Sequence, residues 1–307
     1  MRRRAFLGLL ALAAGCGTPA ARLSRLSLLA EGGAADSFAR SLRSVIEAGR
    51  LTKVDLAEVS SLTSMSGVGR RDGPELIEAQ VMVAGPALVA EAAADHTGHV
   101  LARTTPLARL VGEWEVLVAS PRSRFRTFDA FAEALRRDPA ELQVAGRAVG
   151  GPDHVLFGLV AQGLGMDVRL LSYAAYADAE QVVSALVDAR IAVGVGGLRD
   201  LAAPIRAGTL RPLAVSAKDR VPGVDAPTLI ESGVRLEYAD WRGLVGAAGL
   251  GDADRAALRD LCRTVAAAPD WRRSDWVPMH LEGDDFARWL EAEVARTRAV
   301  LADLGTL

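Results

Sequence analysis

Apolar positions along the chain alternate between two patterns, short runs suited to buried strands and i, i+3, i+4 spacings suited to amphipathic helices. Residues 23–30 read as a strand carrying Leu26, Leu28 and Leu29, and residues 34–48 as a helix stopped at Gly49. Residues 53–59 read as a strand, 74–80 as a helix, 81–84 as a short strand and 86–95 as a helix. The apolar run 114–119 reads as a strand closed by Pro121, and 128–137 as a helix ended by Pro139. A second cycle follows: strand 142–145, helix 152–163, strand 168–173, helix 179–188, strand 191–195, helix 201–207 and strand 211–216. Residues 252–268 and 284–304 have helical spacing. Strands alternating with helices imply α/β layers around mostly parallel sheets.

The loops between these elements carry the candidate chemistry. In such folds the loops that follow the strands gather on one edge, where ligands bind. Gly32-Gly33 lies between an apolar strand and a helix with Ala34, Ala35 and Asp36 in its first turn. The first N–H groups of a helix lack intrahelical partners and sit at the positive end of its dipole, so a glycine turn there makes an anion seat. Gly150-Gly151-Pro152-Asp153-His154 repeats the arrangement, with Pro152 suited to the first helical position. Gly85, Arg147, Ala148, Tyr176, Asp178 and Gly196 lie in, or at the ends of, loops expected at the same edges. Two such seats suggest a clamp for a small acid. His154 is either an anion ligand or a satisfied structural group, and Trp241 either lines the site or fills the core.

Composition narrows the possibilities. The chain has 307 residues, 50% hydrophobic and 24% charged, enough for two compact cores. Its net charge is −2, and without Arg2, Arg3 and Arg4 it is 33 − 38 = −5. That balance, with no basic run interleaved with aromatics, argues against nucleic acid as a partner. Residues 1–4 form a basic region and 5–15 an apolar stretch too short to span a bilayer, the pattern of an export signal. Arg3-Arg4-Ala5-Phe6-Leu7 resembles a twin-arginine signal, and Ala13-Ala14-Gly15-Cys16 a lipobox. Cys16 is therefore either a lipidation site or a thiol beside an ordinary cleavage site. The other cysteine, Cys262, falls in a helical pattern and reads as buried.

Enzyme signatures are lacking. Gly194-Val195-Gly196-Gly197 has Arg199 where a dinucleotide fingerprint needs glycine or alanine, and Ser64-Met65-Ser66-Gly67 lacks the first glycine of a nucleophile elbow. His96-Thr97-Gly98-His99 has no accompanying carboxylate or cysteine pattern and reads as a polar turn. No cofactor or metal is expected.

Several motifs, in order, resemble one family. They are Gly32-Gly33-x-x-Asp36-x-x-Ala39-Arg40, Thr105-Pro106-Leu107-Ala108-Arg109-Leu110, Gly150-Gly151-Pro152-Asp153-His154, residues 208–216 (GTLRPLAVS) and Trp241-Arg242-Gly243. From about residue 26 to the end the chain is similar to the solute receptors of tripartite tricarboxylate transporters. The resemblance implies an extracytoplasmic receptor of type II periplasmic binding protein architecture, two Rossmann-like α/β domains joined by two crossover strands. It implies capture of a small carboxylate for membrane permease subunits, with membrane contact only through an N-terminal lipid. The loops around Gly32–Asp36 and Gly146–His154 would contact the ligand. On this reading residues 1–22 are signal and linker, 23–120 plus 221–307 form domain one, and 121–220 form domain two, with strands 114–119 and 211–216 crossing between them. Two departures bear on ligand identity: Ala177-Asp178-Ala179-Glu180 replaces a glycine-rich segment after Tyr176, and the turn at 64–69 is only partly preserved. The alternatives are a receptor signalling to a membrane sensor, and an enzyme on the same scaffold.

Overall fold

The computed structural model describes residues 23–31, 34–59, 70–72, 75–95, 99–272 and 276–307. The expected signal, Cys16, Gly32, Gly33, the turn at 64–69 and His96 lie outside these, as do the side chains of Ala34, Ala35, Asp36 and His99.

One long strand organises the molecule. β5 (Thr104–Ala119) is 16 residues long, about 50 Å at the usual rise per residue. Its first part lies between β10 (Ala239–Ala247) and β11 (Val277–Glu282), both antiparallel to it. Its last residues lie between β8 (Val193–Gly197) and β9 (Arg211–Val215), also antiparallel. Each end of β5 therefore belongs to a different lobe.

In the first lobe β1 (Arg25–Ala30) is central and parallel, pairing β2 (Lys53–Glu58) on one side and β4 (Glu75–Ala84) on the other. β10 then joins β4 to β5, and β3 (Arg70–Asp72) pairs with β4. Helix α1 (Ala34–Ala48) buries Phe38, Ala39, Leu42 and Ile46 at helical spacing, with Phe38 edge-on to Trp271 and Trp276. α2 (Pro86–Ala94) follows β4, and α3 (His99–Ala102) leads into β5.

In the second lobe α4 (Phe128–Arg137) is capped by the Thr127 hydroxyl, which accepts from Ala130 N at 3.2 Å. β6 (Val144–Gly146) runs parallel to β8 and to β7 (Tyr173–Ala175). α5 (Pro152–Gly163), α6 (Ala179–Val187) and α7 (Leu198–Arg206) complete it. α8 (Asp252–Ala267), α9 (Pro269–Arg272) and α10 (Gly283–Asp303) close the chain. α10 spans both lobes. Phe286, Leu290 and Val294 pack around Trp241, whereas Val300 and Leu301 join the second-lobe core with Phe125, Phe131 and Phe157.

Three readings differ from the sequence expectation. Of the segment 74–80 expected as a helix, the described residues 75–80 fall within strand β4, because the sheet centre overrides the helix-forming residues there: Ala79 pairs with Leu26, and Val81 with Leu28. Residues 168–173 form a 3-10 turn (Val168–Leu170), and the strand begins only at Tyr173. β5 starts ten residues before the expected 114. Pro106, which has no N–H for the ladder, sits at a register shift opposite Val245.

The lobes meet at Ser216, which is fully buried. Its hydroxyl accepts from Glu115 N at 2.9 Å and donates to Tyr238 O at 2.6 Å, tying β5, the end of β9 and the approach to β10 together. The segment between β9 and β10 is more than a crossover. Its Leu229, Val234, Leu236 and Tyr238 belong to the second-lobe core.

Candidate functional site

A cavity of about 220 Å³ opens between the lobes. From the first lobe it is lined by Met82 and Val83 at the end of β4, by Gly85, and by Pro86, Ala87 and Leu88 opening α2. From the second it is lined by Arg147, Gly150, Gly151 and Pro152. Glu31, at the end of β1, and Asp240 and Arg242, on β10, complete its polar side.

The two helices that open on it are built alike. α2 and α5 each have glycine at the N-cap, proline at the first turn and no side-chain cap. A serine or aspartate cap would occupy the orphan N–H groups, whereas glycine leaves them for something else. Gly85 also permits close approach of β10, since a Cβ there would lie 3.0 Å from Trp241 O and 3.1 Å from Arg242 Nη1. Gly150 adopts φ +79°, the left-handed region that glycine accepts without strain. α7 is a useful contrast. Its glycine cap is already served by a carboxylate, because Glu113 accepts from Arg199 N at 2.8 Å.

Beneath the cavity lies a buried ionic network. Arg147 donates to Asp153 from Nη2 (2.7 Å to Oδ1) and Nε (3.1 Å to Oδ2), and its backbone N–H bonds the same carboxylate at 2.8 Å. Glu115 lies 3.7 Å from Arg147 Nη2, and Asp200 lies 4.0 Å from Nη1. Burial pulls the Arg147 pKa down, but the bonds to Asp153 and the nearby carboxylates outweigh it, so the guanidinium is held charged. Arg242 pairs with Asp240 and donates to Trp241 O at 2.8 Å. Glu115 is fully buried, and neither carboxyl oxygen has a hydrogen-bond partner. Burial pushes its pKa well above the carboxylate range, reinforced by Asp153, Asp240 and Glu113 and opposed by Arg147.

A family model described as the tripartite tricarboxylate transporter family receptor matches residues 97–306. The chain belongs to this family. No curated protein matches it. Among solved structures, a TctC solute binding protein from Polaromonas, determined without ligand, is 18% identical, with 92% of this chain and 99% of that chain covered and a TM-score of 0.73. A protein of R. palustris determined with adipate is 20% identical over 92% and 97%, with a TM-score of 0.70. MatC from Rhodopseudomonas palustris, with bound malate, is 17% identical over 90% and 99%, with a TM-score of 0.66. At these identities the likeness establishes the fold, the two-lobed α/β architecture expected from the sequence.

In this receptor the sequence candidates take distinct places. Gly85, Arg147, Gly150 and Gly151 line the cavity. Ala34, Ala35 and Asp36 open α1, one helix start beyond Glu31. Asp153 is buried behind Arg147 as its counter-ion. His154 is buried against Tyr173, ring centroids 4.3 Å apart, and its Nδ1 accepts from Gly150 N at 3.1 Å. Burial lowers its pKa, which suits a neutral imidazole in that accepting role. The Ala148 carbonyl accepts from Gly151 N at 3.0 Å, closing the turn before α5. Tyr176, Asp178 and Gly196 are not among the residues lining this cavity. Tyr176 packs on the second-lobe core, Asp178 caps α6 through Gln181 N at 2.8 Å, and Gly196 is buried with room for a Cβ only 3.1 Å from Leu201. Trp241 is buried in the core, edge-on to Phe286 and Trp289. Cys262 is buried in α8, its thiol pushed up to about 12, chiefly by burial. Among the described residues no His/Cys/Asp/Glu group is arranged to hold a metal, and no helix is long and apolar enough to cross a membrane.

Sequence reasoning missed Glu31, Asp240 and Arg242 as lining residues. Glu31 directly follows β1, so the rule that loops after strands gather at the ligand edge would have found it. Asp240 and Arg242 required knowing that residues 239–247 form a strand at the lobe junction.

Proposed function

We propose that this receptor captures a small organic carboxylate in the interlobe cleft and delivers it to membrane permease subunits, acting outside the cytoplasm. The observation that carries the reading is the pair of glycine-capped helix starts, α2 from one lobe and α5 from the other, opening on one cavity. A carboxylate placed between them accepts charge-assisted hydrogen bonds from backbone N–H groups of both lobes. Only a closed molecule supplies both sets together, so binding and closure are the same event. No bond is broken. The relatives determined with adipate and malate support the same class of ligand. Export through the N-terminal signal, with Cys16 as the anchoring residue, fits this role. We propose a domain division at about residues 120 and 220, with the end of α10 and the segment before β10, whose Leu229, Val234, Leu236 and Tyr238 pack in the second-lobe core, fastening one lobe to the other.

The test is calorimetric titration of the full chain against succinate, malate, adipate, citrate and amino-bearing acids. Saturable one-to-one binding of at least one acid is expected. Binding of sugars or cations alone, with no response to any acid, would overturn the reading.

A further inference from the structure

The charges around the cavity do not balance. Of its four charged lining residues among those described, Arg147 is committed to Asp153 and Arg242 to Asp240. That leaves Glu31, which makes no hydrogen bond or ion pair with the described residues and shares the cavity with an apolar wall of Met82, Val83, Pro86, Ala87, Leu88 and Ala90 as well as with the paired Arg147, Asp240 and Arg242. Burial raises the Glu31 pKa, Glu91 adds to this and Arg242 opposes it. A half-buried carboxylate beside an apolar wall disfavours a second anion and favours a cation.

Resting on the carboxylate reading above, we propose that Glu31 is a specificity-determining residue and that the ligand is an amino acid of the ω type. Its carboxylate lies between the amides that open α2 and α5, a short hydrocarbon body lies along the apolar wall, and an ammonium group meets Glu31. A plain diacid would bring its second carboxylate against Glu31 with both guanidiniums already paired. Discrimination then rests on a repulsive contact as much as on an attractive one.

Two matched series test this on the full chain by calorimetry: 6-aminohexanoate, adipate and hexanoate, and 4-aminobutanoate, succinate and butanoate. In at least one series the amino acid should bind about tenfold or more tightly than the diacid. Glu31→Gln should bring that ratio near one, and Glu31→Asp should retain part of it. Because Glu31 holds no bond to the described residues, both variants should melt with the wild type. A wild type that prefers the diacids, or a preference that survives Glu31→Gln, overturns the inference and leaves the carboxylate reading standing. If no acid in either series binds, and none does in the broader panel, both fall together.

Discussion

At the scale of single residues, the cleft floor is strained by solvation rather than by geometry. Glu115 is the clearest case, a carboxyl with no exposure and no hydrogen-bond partner at the junction of the lobes. Its folded pKa lies above its unfolded value near 4.5. The folded state therefore holds the proton more tightly, and the associated stability is full below about pH 4.5 and is lost as pH rises through the folded value. Glu115→Gln removes that dependence. The variant should match the wild type near pH 4 and be the more stable of the two at pH 8, with a flatter melting temperature against pH. Parallel curves across that range would show that Glu115 does not titrate in this way. Asp153 and His154 teach a related lesson. The sequence offered both as ligand contacts, yet the structure uses one to hold Arg147 and the other to accept from Gly150. Residue type and position at a helix start were legible, and the partners lie only six and four residues away, but the turn that brings Arg147 onto Asp153 and Gly150 N onto His154 is not written in residue spacing.

At the scale of elements, helix starts divide into two kinds. α4 is capped by its own threonine, whereas α2 and α5 leave their N–H groups open toward the cavity. Supplying α5 with its own carboxylate should separate stability from binding. Gly151→Asp should lower acid affinity at least about tenfold, as its side chain takes the amides the ligand needs, with a stability cost confined to seating a Cβ 3.0 Å from the Ala148 carbonyl oxygen. Thr127→Ala should do the reverse, costing about 1 kcal/mol with affinity unchanged. Denaturation and calorimetry on the two variants check both halves. The same helices show what the sequence made readable. Gly85-Pro86 and Gly151-Pro152 mark starts through punctuation that works locally, and α1, α4 and α10 follow apolar spacing. β4 and β10 were not readable in that way. Their segments are strands because each lies between partners distant in sequence, and the helix-forming Glu78 and Ala79 in β4 yield to pairing with β1.

At the scale of the whole molecule, the lobes are joined by more than two crossing strands. Ser216 links three chain passages, and α10 reaches into both cores. Ser216→Ala leaves the Glu115 N–H and the Tyr238 carbonyl short of a partner inside the junction. It should cost about 1–3 kcal/mol in denaturant unfolding, with one cooperative transition retained. A cost within a few tenths would mean that the junction is held by packing alone.

The pairing of both guanidiniums with carboxylates also bears on how fast a ligand arrives. A site that gathers anions with free arginines projects a positive field into solution, and its capture rate falls steeply as salt is added. Here Arg147 and Arg242 are neutralised from within, and the amides that receive the acid act only over the first helical turn. Stopped-flow association should therefore change by less than about twofold between dilute buffer and 0.5 M salt. Encounter is left to ordinary diffusion, and discrimination among acids is expressed in how long each one stays.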